Sequence, residues 1–285
     1  MGHENVRREP EPCIDPTVEY IMNLSLGFSP CPNDTFIFDA WVNGNVSDTH
    51  RPAETHLADV ETLNTWANES KLDVTKLSFP ALFRNLDQYR LLRAGSALGL
   101  GVGPLLIARE PIQANDPELM SKTVLLPGRM TTANLLFTYA YPQIHHRTYQ
   151  VFSEIEDALL NGEADLGVII HENRFTYAKR GLHLVKDLGA HWEEKTGCAI
   201  PLGCIAMKRS WGEEAAAAIT TAIQLSLNEA QQKLPAISDY VIEHAQTMES
   251  SVMRQHIDLY VNDFSIDMGD TGRKAIAKLV QVYNS

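Results

Sequence analysis

The sequence has no hydrophobic run of about 18 residues, the length that a helix needs to cross a bilayer, so we expect no membrane-spanning segment. Its first twenty residues, MGHENVRREPEPCIDPTVEY, also lack the apolar core of a secretory signal. Cysteine is scarce: there are four cysteines, and no C-x-x-C pair is present. We therefore expect free thiols rather than a disulfide framework or a zinc site, and a cytoplasmic location.

Basic residues are also outnumbered: the chain has 24 Lys and Arg residues and 36 Asp and Glu residues, so its net charge is -12. A nucleic-acid partner is disfavoured, since a phosphate backbone is bound by a basic surface. Such a chain does not attract an anionic ligand from a distance, so an anion must be held by local donors.

Several familiar catalytic motifs are missing. The sequence contains no P-loop, no G-x-S-x-G and no H-E-x-x-H zinc motif, and we expect no metal site. The glycine-rich segment at residues 95–104, GSALGLGVGP, lacks the strand, turn and helix that surround a dinucleotide fingerprint.

Short apolar runs alternate with amphipathic segments over the first two thirds of the chain. Predicted strands are NLSLGF, VTKLSF, KTVLLPG and ADLGVII, and predicted helices are DVETLNTWANES, ALFRNL and TTANLLFTYAY. This order predicts an α/β fold with mostly parallel strands flanked by helices. From Ser210 onward the periodicity is helical only.

Two α/β units and a helical tail predict two lobes around a cleft. GVGPLLIAR and LGCIAMKR would be the crossings between them. We expect a large lobe from residues 22–106 and 207–285, a small lobe from residues 107–206, and a polar extension over residues 1–21. Two mixed, mostly parallel sheets with a cleft between them are typical of the periplasmic-binding-protein architecture. Ligands of such sheets bind outside the carboxyl ends of the strands.

Four polar loops follow apolar strands and should share one rim of the cleft. They are SPCPND (residues 29–34), TKLS (75–78), GRMTTA (128–133) and HENRF (171–175). A polar turn with a helix cap explains any one of them alone, but four together favour a binding pocket. In the first loop, Asn33 or Asp34 would cap a helix that ends near Gly44, or would face a ligand.

Two side chains on this rim are candidates for chemistry. His171 directly follows the strand LGVII, where it could act as a base with a pKa near 6.5; a structural histidine is the alternative. Cys31, beside a helix N-terminus, could be a nucleophile, although the sequence offers it no clear histidine partner.

These segments also carry a family likeness. From about Leu24 to the C-terminus the chain resembles the 1,4-dihydroxy-6-naphthoate synthases of the futalosine route to menaquinone. The strings that resemble this family are GFSPCPNDTFIF, DVETLN, TKLS, GVGPLL, PGRMTTA, VIIHENRFTY, DLGAHWEEKTG and YVNDFSIDMG. The resemblance implies a fold like that of type 2 periplasmic binding proteins. It also implies a carbon–carbon lyase with no known cofactor, which converts cyclic dehypoxanthinylfutalosine to 1,4-dihydroxy-6-naphthoate.

The resemblance also implies roles for single residues. His171 would be the proton acceptor. The resemblance further implies that Lys76, Leu77, Ser78, Thr132 and Ala133 line the ligand site. Beside these, we expect Asp34, Asn64 and Arg174 to contact the substrate. Because the substrate carries a carboxylate, Lys76 or Arg174 could be its cationic partner.

Two alternative functions remain open. A non-catalytic solute-binding protein would need a signal peptide or a lipid-anchor cysteine, and the N-terminal segment has neither. Chorismate dehydratase, an enzyme of the same fold and pathway, is the nearer alternative. The strings SPCPND and IIHE favour the synthase. The oligomeric state is not predicted.

Overall fold

Strands and helices alternate along the chain as far as Lys208, and only helices follow. The computed structural model describes residues 23–46, 51–245 and 249–285, so the predicted extension over residues 1–21 lies outside the described residues. The strands are β1 (Ser25–Phe28), β2 (Glu54–Leu57), β3 (Val74–Ser78), β4 (Tyr89–Leu91), β5 (Ala97–Gly99), β6 (Leu105–Ala108), β7 (Val124–Leu126), β8 (Arg147–Tyr149), β9 (Leu166–Ile169), β10 (His183–Asp187) and β11 (Ile200–Lys208). The α-helices are α1 (Pro32–Val42), α2 (Val60–Asn68), α3 (Phe79–Arg84), α4 (Thr132–Ala140), α5 (Ile155–Leu160), α6 (Asn173–Thr176), α7 (Leu188–Thr196), α8 (Gly212–Gln232), α9 (Asp239–His244), α10 (Ser250–Tyr260), α11 (Asp263–Ile266) and α12 (Gly269–Tyr283).

The first sheet has the strand order β2-β1-β3-β11-β4, and β5 also pairs with β11. β1 pairs in parallel with β2 and β3, whereas β11 pairs antiparallel with β3, β4 and β5. All the described strands of this sheet except β11 therefore run in one direction.

The second sheet has the order β10-β6-β9-β7-β8. β7 pairs in parallel with β8 and β9, and β6 pairs antiparallel with β9 and β10. Its reversed strand is therefore β6. The prediction of an α/β fold with two mixed sheets is confirmed, and the reversed strands are the two that were predicted to cross between lobes.

The lobe boundaries at residues 107 and 206 stay a prediction. β6 begins at Leu105 and pairs only within the second sheet, whereas β11 begins at Ile200 and pairs only within the first. This pairing favours boundaries a few residues earlier than those predicted.

The start of α1 differs from the prediction. Cys31 is the N-cap residue and makes no side-chain capping bond, while Pro32 occupies the first turn. Asp34 instead turns back to the loop, where its Oδ2 accepts hydrogen bonds from the Ser29 backbone N–H (3.2 Å) and hydroxyl (2.7 Å). The carboxylate therefore fixes the end of β1 relative to α1 and does not cap the helix.

The helical tail packs against the first sheet. The predicted apolar stripe of α8 is buried, and its members are Ile219, Ala222, Ile223, Ser226, Leu227 and Ala230. Ile219, Ile223 and Leu227 share a core cluster with Phe38 and Trp41 of α1. α10 also contacts α1, and this packing brings one face of α10 to the cleft. None of the described helices is long and apolar enough to cross a bilayer. The cytoplasmic location stays a prediction.

Candidate active site

A cleft of about 670 Å³, counting its opening to solvent, lies where the carboxyl ends of β1, β3 and β9 meet the start of α4. The structure brings seven of the predicted site residues to its wall: Asp34, Lys76, Leu77, Ser78, Thr132, Ala133 and His171. Their roles stay predictions, but their convergence comes from strands and helices far apart in sequence.

A buried ion pair forms one side of the cleft. Lys76 Nζ lies 2.6 Å from Asp34 Oδ1, and the two residues are only 5% and 1% exposed. Asp34 Oδ1 also accepts a hydrogen bond from Asn33 Nδ2 at 2.8 Å. Because the ammonium group is neutralised inside the protein, Lys76 is held in place and is not a free cation for the substrate.

His171 occupies a special backbone position directly after β9. Its φ of 57° lies in the left-handed region, which non-glycine residues rarely adopt and which turns the side chain toward the cleft. The Phe152 ring lies edge-on to the imidazole, with centroids 4.8 Å apart. His171 Nε2 is buried and has no hydrogen-bond partner among the described residues.

The surroundings of His171 keep its imidazole neutral. Burial lowers its pKa from the ordinary 6.5 to about 4; the negative charge of Asp34 opposes this shift and the positive charge of Lys76 adds to it. The predicted pKa near 6.5 is therefore wrong, because a sequence does not show how much water reaches the ring. A neutral imidazole with an available ring nitrogen is able to accept a proton.

Ser78 is positioned by Asn64, which is fully buried behind it. The Ser78 backbone N–H donates to Asn64 Oδ1 at 2.9 Å, and Asn64 Nδ2 donates to the Ser78 hydroxyl at 3.3 Å. Asn64 itself is not part of the cleft wall. Its side chain therefore orients Ser78, and the prediction that Asn64 contacts the substrate is not supported by this geometry.

The opposite wall is the start of α4. Thr131 caps this helix by accepting a hydrogen bond from the Asn134 N–H, and Thr132 and Ala133 form its first turn in the cleft. N–H groups of a first turn have no acceptor within the helix, and the helix dipole favours a negative group there. The Thr132 hydroxyl is occupied by the Leu202 carbonyl at 2.6 Å. The donors that this wall offers to an anion are therefore the backbone N–H groups of the first turn of α4.

Glu61 links α2 to the loop between β7 and α4. Its Oε1 accepts hydrogen bonds from the backbone N–H groups of Arg129 (2.6 Å) and Met130 (3.1 Å), in the loop between β7 and α4. A Cβ on Gly128 would lie 2.5 Å from the Glu61 carboxyl carbon, so a side chain at this position would displace the Glu61 carboxylate. Glu61 Oε2 also accepts from Asn64 Nδ2 at 3.1 Å. This contact joins the loop before α4 to the residue that orients Ser78.

Arg174 does not reach the cleft wall. Its Nη1 donates to the Gly103 carbonyl at 2.6 Å, and Nη2 lies 3.7 Å from Asp187 Oδ2. The guanidinium is engaged by a backbone carbonyl and a carboxylate, and it also neighbours the hydroxyl of Tyr260, which lines the cleft. Contact between Arg174 and the substrate carboxylate stays a prediction.

Cys31 is buried at 1% exposure, and burial, together with the nearby carboxyl group of Glu172, raises the pKa of its thiol well above the ordinary value. The thiolate needed for nucleophilic attack is therefore disfavoured. Among the described residues no group of three or more His, Cys, Asp and Glu side chains is arranged to hold a metal ion.

Two site residues were missed by sequence reasoning. His256 and Tyr260 lie one turn apart on α10; Tyr260 lines the cleft, and the His256 ring packs parallel to His171 at a centroid distance of 6.0 Å. The available signal was a histidine on the apolar face of α10, between Met253 and Ile257, which are both buried. That pattern alone does not separate a core histidine from a site residue.

Known proteins resemble the chain over most of its length. A family model described as menaquinone biosynthesis matches residues 24–285. The chain belongs to this family. A 1,4-dihydroxy-6-naphthoate synthase of Thermus thermophilus is 46% identical over 256 residues, covering 90% of this chain and 92% of the relative. A protein of the same name from Streptomyces coelicolor is 42% identical over 263 residues, covering 90% and 91%. The resemblance inferred from the sequence strings is confirmed.

Solved structures agree on the fold. A protein from Archaeoglobus fulgidus is 30% identical, with a TM-score of 0.85, and the match covers 92% of this chain and 97% of the other. The periplasmic aliphatic sulphonate binding protein of Escherichia coli is 12% identical with a TM-score of 0.62, and the match covers 92% and 90%. The second match shows the fold alone, and it confirms the predicted periplasmic-binding-protein-like architecture.

Proposed function

We propose that the chain is a 1,4-dihydroxy-6-naphthoate synthase that converts cyclic dehypoxanthinylfutalosine to 1,4-dihydroxy-6-naphthoate. The two synthases that are 46% and 42% identical support this reaction. The observation that carries the mechanism is the neutral imidazole of His171 in the cleft, with Nε2 free of a partner among the described residues.

In this mechanism His171 is the proton acceptor. It removes a proton beside a carbonyl group of the substrate, and the C–H electron pair becomes an enolate within the new ring. The carbon–carbon bond to the sugar-derived fragment then breaks: the fragment leaves with a new carbonyl group as its hydroxyl gives up a proton, and the electron pair of the broken bond stays with the ring, which becomes aromatic. The gain in aromaticity favours the step. The partly buried site limits access of water, so the neutral imidazole is not protonated by solvent at neutral pH.

Neutral donors hold the substrate carboxylate. Lys76 is already paired with Asp34 and Arg174 with Gly103 and Asp187, so neither cation is free for it. The first-turn N–H groups of Thr132 and Ala133 and the Ser78 hydroxyl line the cleft and supply donors. Tyr260 adds a hydroxyl that stays protonated, because burial raises its pKa to about 12.

A product assay tests this proposal. The purified protein is incubated separately with cyclic dehypoxanthinylfutalosine and with chorismate, and the products are identified by mass spectrometry. Naphthoate from the first substrate alone is expected. Dehydration of chorismate would assign the alternative enzyme of the pathway, and tight binding of either compound without turnover would indicate a solute-binding protein.

A further inference from the structure

We propose that His256 is a positioning residue that holds the His171 ring in its reactive orientation. The assignment rests on the proposed role of His171 as the base. It comes from two features of the described residues: a parallel ring contact, and a buried chain of hydrogen bonds that fixes His256.

The planes of the two imidazole rings are nearly parallel. Their planes differ by 11° and their centroids are 6.0 Å apart, which is an offset stacked arrangement. Phe152 packs edge-on against His171 from another direction. The His171 ring is therefore bounded by two rings, and rotation about its χ2 angle would have to displace one of them.

His256 is itself held in place by burial and by a hydrogen bond. It is fully buried, and its Nε2 lies 2.8 Å from Asn33 Oδ1. Since an amide oxygen only accepts, Nε2 carries the proton and donates it to Asn33. Asn33 in turn donates to Asp34, which holds Lys76. The ring that stacks on His171 is thus tied to the ion pair on the cleft wall.

The other ring nitrogen of His256, Nδ1, faces Glu172. Nδ1 is buried without a hydrogen-bond partner among the described residues, and so is Glu172 Oε2, 3.8 Å away. Burial, and then the charge of Glu156, raises the pKa of Glu172, whereas burial lowers the pKa of His256 well below its ordinary value. The neutral His256 ring adds no charge beside His171, where the charged neighbours are Asp34, Lys76 and Asp59.

Filling the space on α10 does not by itself require a polar side chain at position 256. An apolar side chain would fill the same space on α10 without leaving a buried ring nitrogen unpartnered, and unsatisfied buried polar atoms are costly. The polar ring at this position both satisfies Asn33 Oδ1 and presents its face to the proposed base.

Two substitutions separate the ring from the hydrogen bond. His256→Gln keeps a donor for Asn33 but removes the ring, so kcat should fall about 10²-fold, as expected for a misoriented group, with KM little changed. His256→Phe keeps a ring against His171 but loses the hydrogen bond, so it should retain more kcat than the Gln variant while melting at a lower temperature. If His256→Gln does not fold, His256→Met, which also lacks a ring, carries the same expectation for kcat.

The order of the two variants decides the outcome. Opposite orders in kcat and melting temperature support the positioning role. The same order in both, or a Gln variant within a few-fold of the parent, overturns it. His244→Gln is the matched control, because His244 also packs against a tyrosine ring, on α9, and should keep the parent's kcat.

His171→Asn is measured in parallel to separate this inference from the proposed function. Loss of turnover in His171→Asn together with an unaffected His256→Gln would overturn only the positioning role. Turnover retained in His171→Asn would overturn both assignments.

Discussion

At the residue scale, the proposed chemistry depends on the charge state of the His171 imidazole. Replacing His171 by Asn should lower kcat by about 10²–10⁴-fold, the usual contribution of a general base, because Asn does not accept the proton. The melting temperature should stay close to that of the parent, since the ring nitrogen Nε2 makes no hydrogen bond with the described residues. Steady-state kinetics and thermal melts test this. Unchanged turnover with a large loss of stability would make His171 a structural residue.

The pH dependence of activity follows from the burial of the same ring. The pKa of His171 is lowered to about 4, so the neutral, proton-accepting form persists as the pH falls below 6.5 and is lost only on passing through the lowered pKa. The acid limb of kcat/KM should therefore have a midpoint nearer 4 than 6.5. Circular dichroism at each pH separates this limb from unfolding. A midpoint at 6.5 or above would assign the limb to another group.

Ser78 should act in binding rather than in chemistry. Its hydroxyl faces the cleft and is oriented by Asn64, and a neutral hydrogen bond of this kind contributes about 0.5–1.5 kcal/mol. Ser78→Ala should therefore raise KM roughly two- to tenfold and leave kcat nearly unchanged. Initial-rate measurements over a range of substrate concentrations decide this. A large fall in kcat at constant KM would place the hydroxyl in the reaction itself.

At the scale of elements, the contact between α2 and the loop before α4 should set how well the cleft closes. Glu61→Ala removes the acceptor for the Arg129 and Met130 N–H groups and frees Asn64. We expect a roughly tenfold rise in KM, since hydrogen bonds to a charged group contribute about 1.5–3 kcal/mol and this one is partly exposed. The matched control is Glu69→Ala, an exposed glutamate at the end of the same helix. Equal KM values for both variants would contradict the bridging role.

The elements also explain what the sequence could predict. The loops after β1, β3 and β9 were predictable because parallel strands end at a common rim, and a strand pattern fixes where each loop begins. Arg174 follows the same strand as His171, yet its side chain engages Gly103. Its direction depends on tertiary contacts that no local pattern records.

His256 is a site residue that the sequence pattern did not identify. It lies 223 positions from its partner Asn33, and its own helix has an ordinary amphipathic pattern that does not mark it as a site residue. The large shift in the pKa of His171 was missed for a related reason, because it depends on burial by segments distant in sequence. Family likeness supplied the proposed role of His171, whereas the residues that surround its ring could be named only from the packed structure.

At the scale of the whole molecule, the pairing of Lys76 with Asp34 has a consequence for ionic strength. Proteins that capture carboxylates with free cations lose affinity as salt screens the attraction. Here the cleft's lysine is neutralised internally, and the chain as a whole carries a charge of -12, which repels an anionic substrate. Added potassium chloride should therefore leave KM unchanged or lower it slightly, and a steep rise in KM with salt would reveal an unpaired cation at the site. Such an enzyme would take up its substrate equally well in dilute and in concentrated electrolyte.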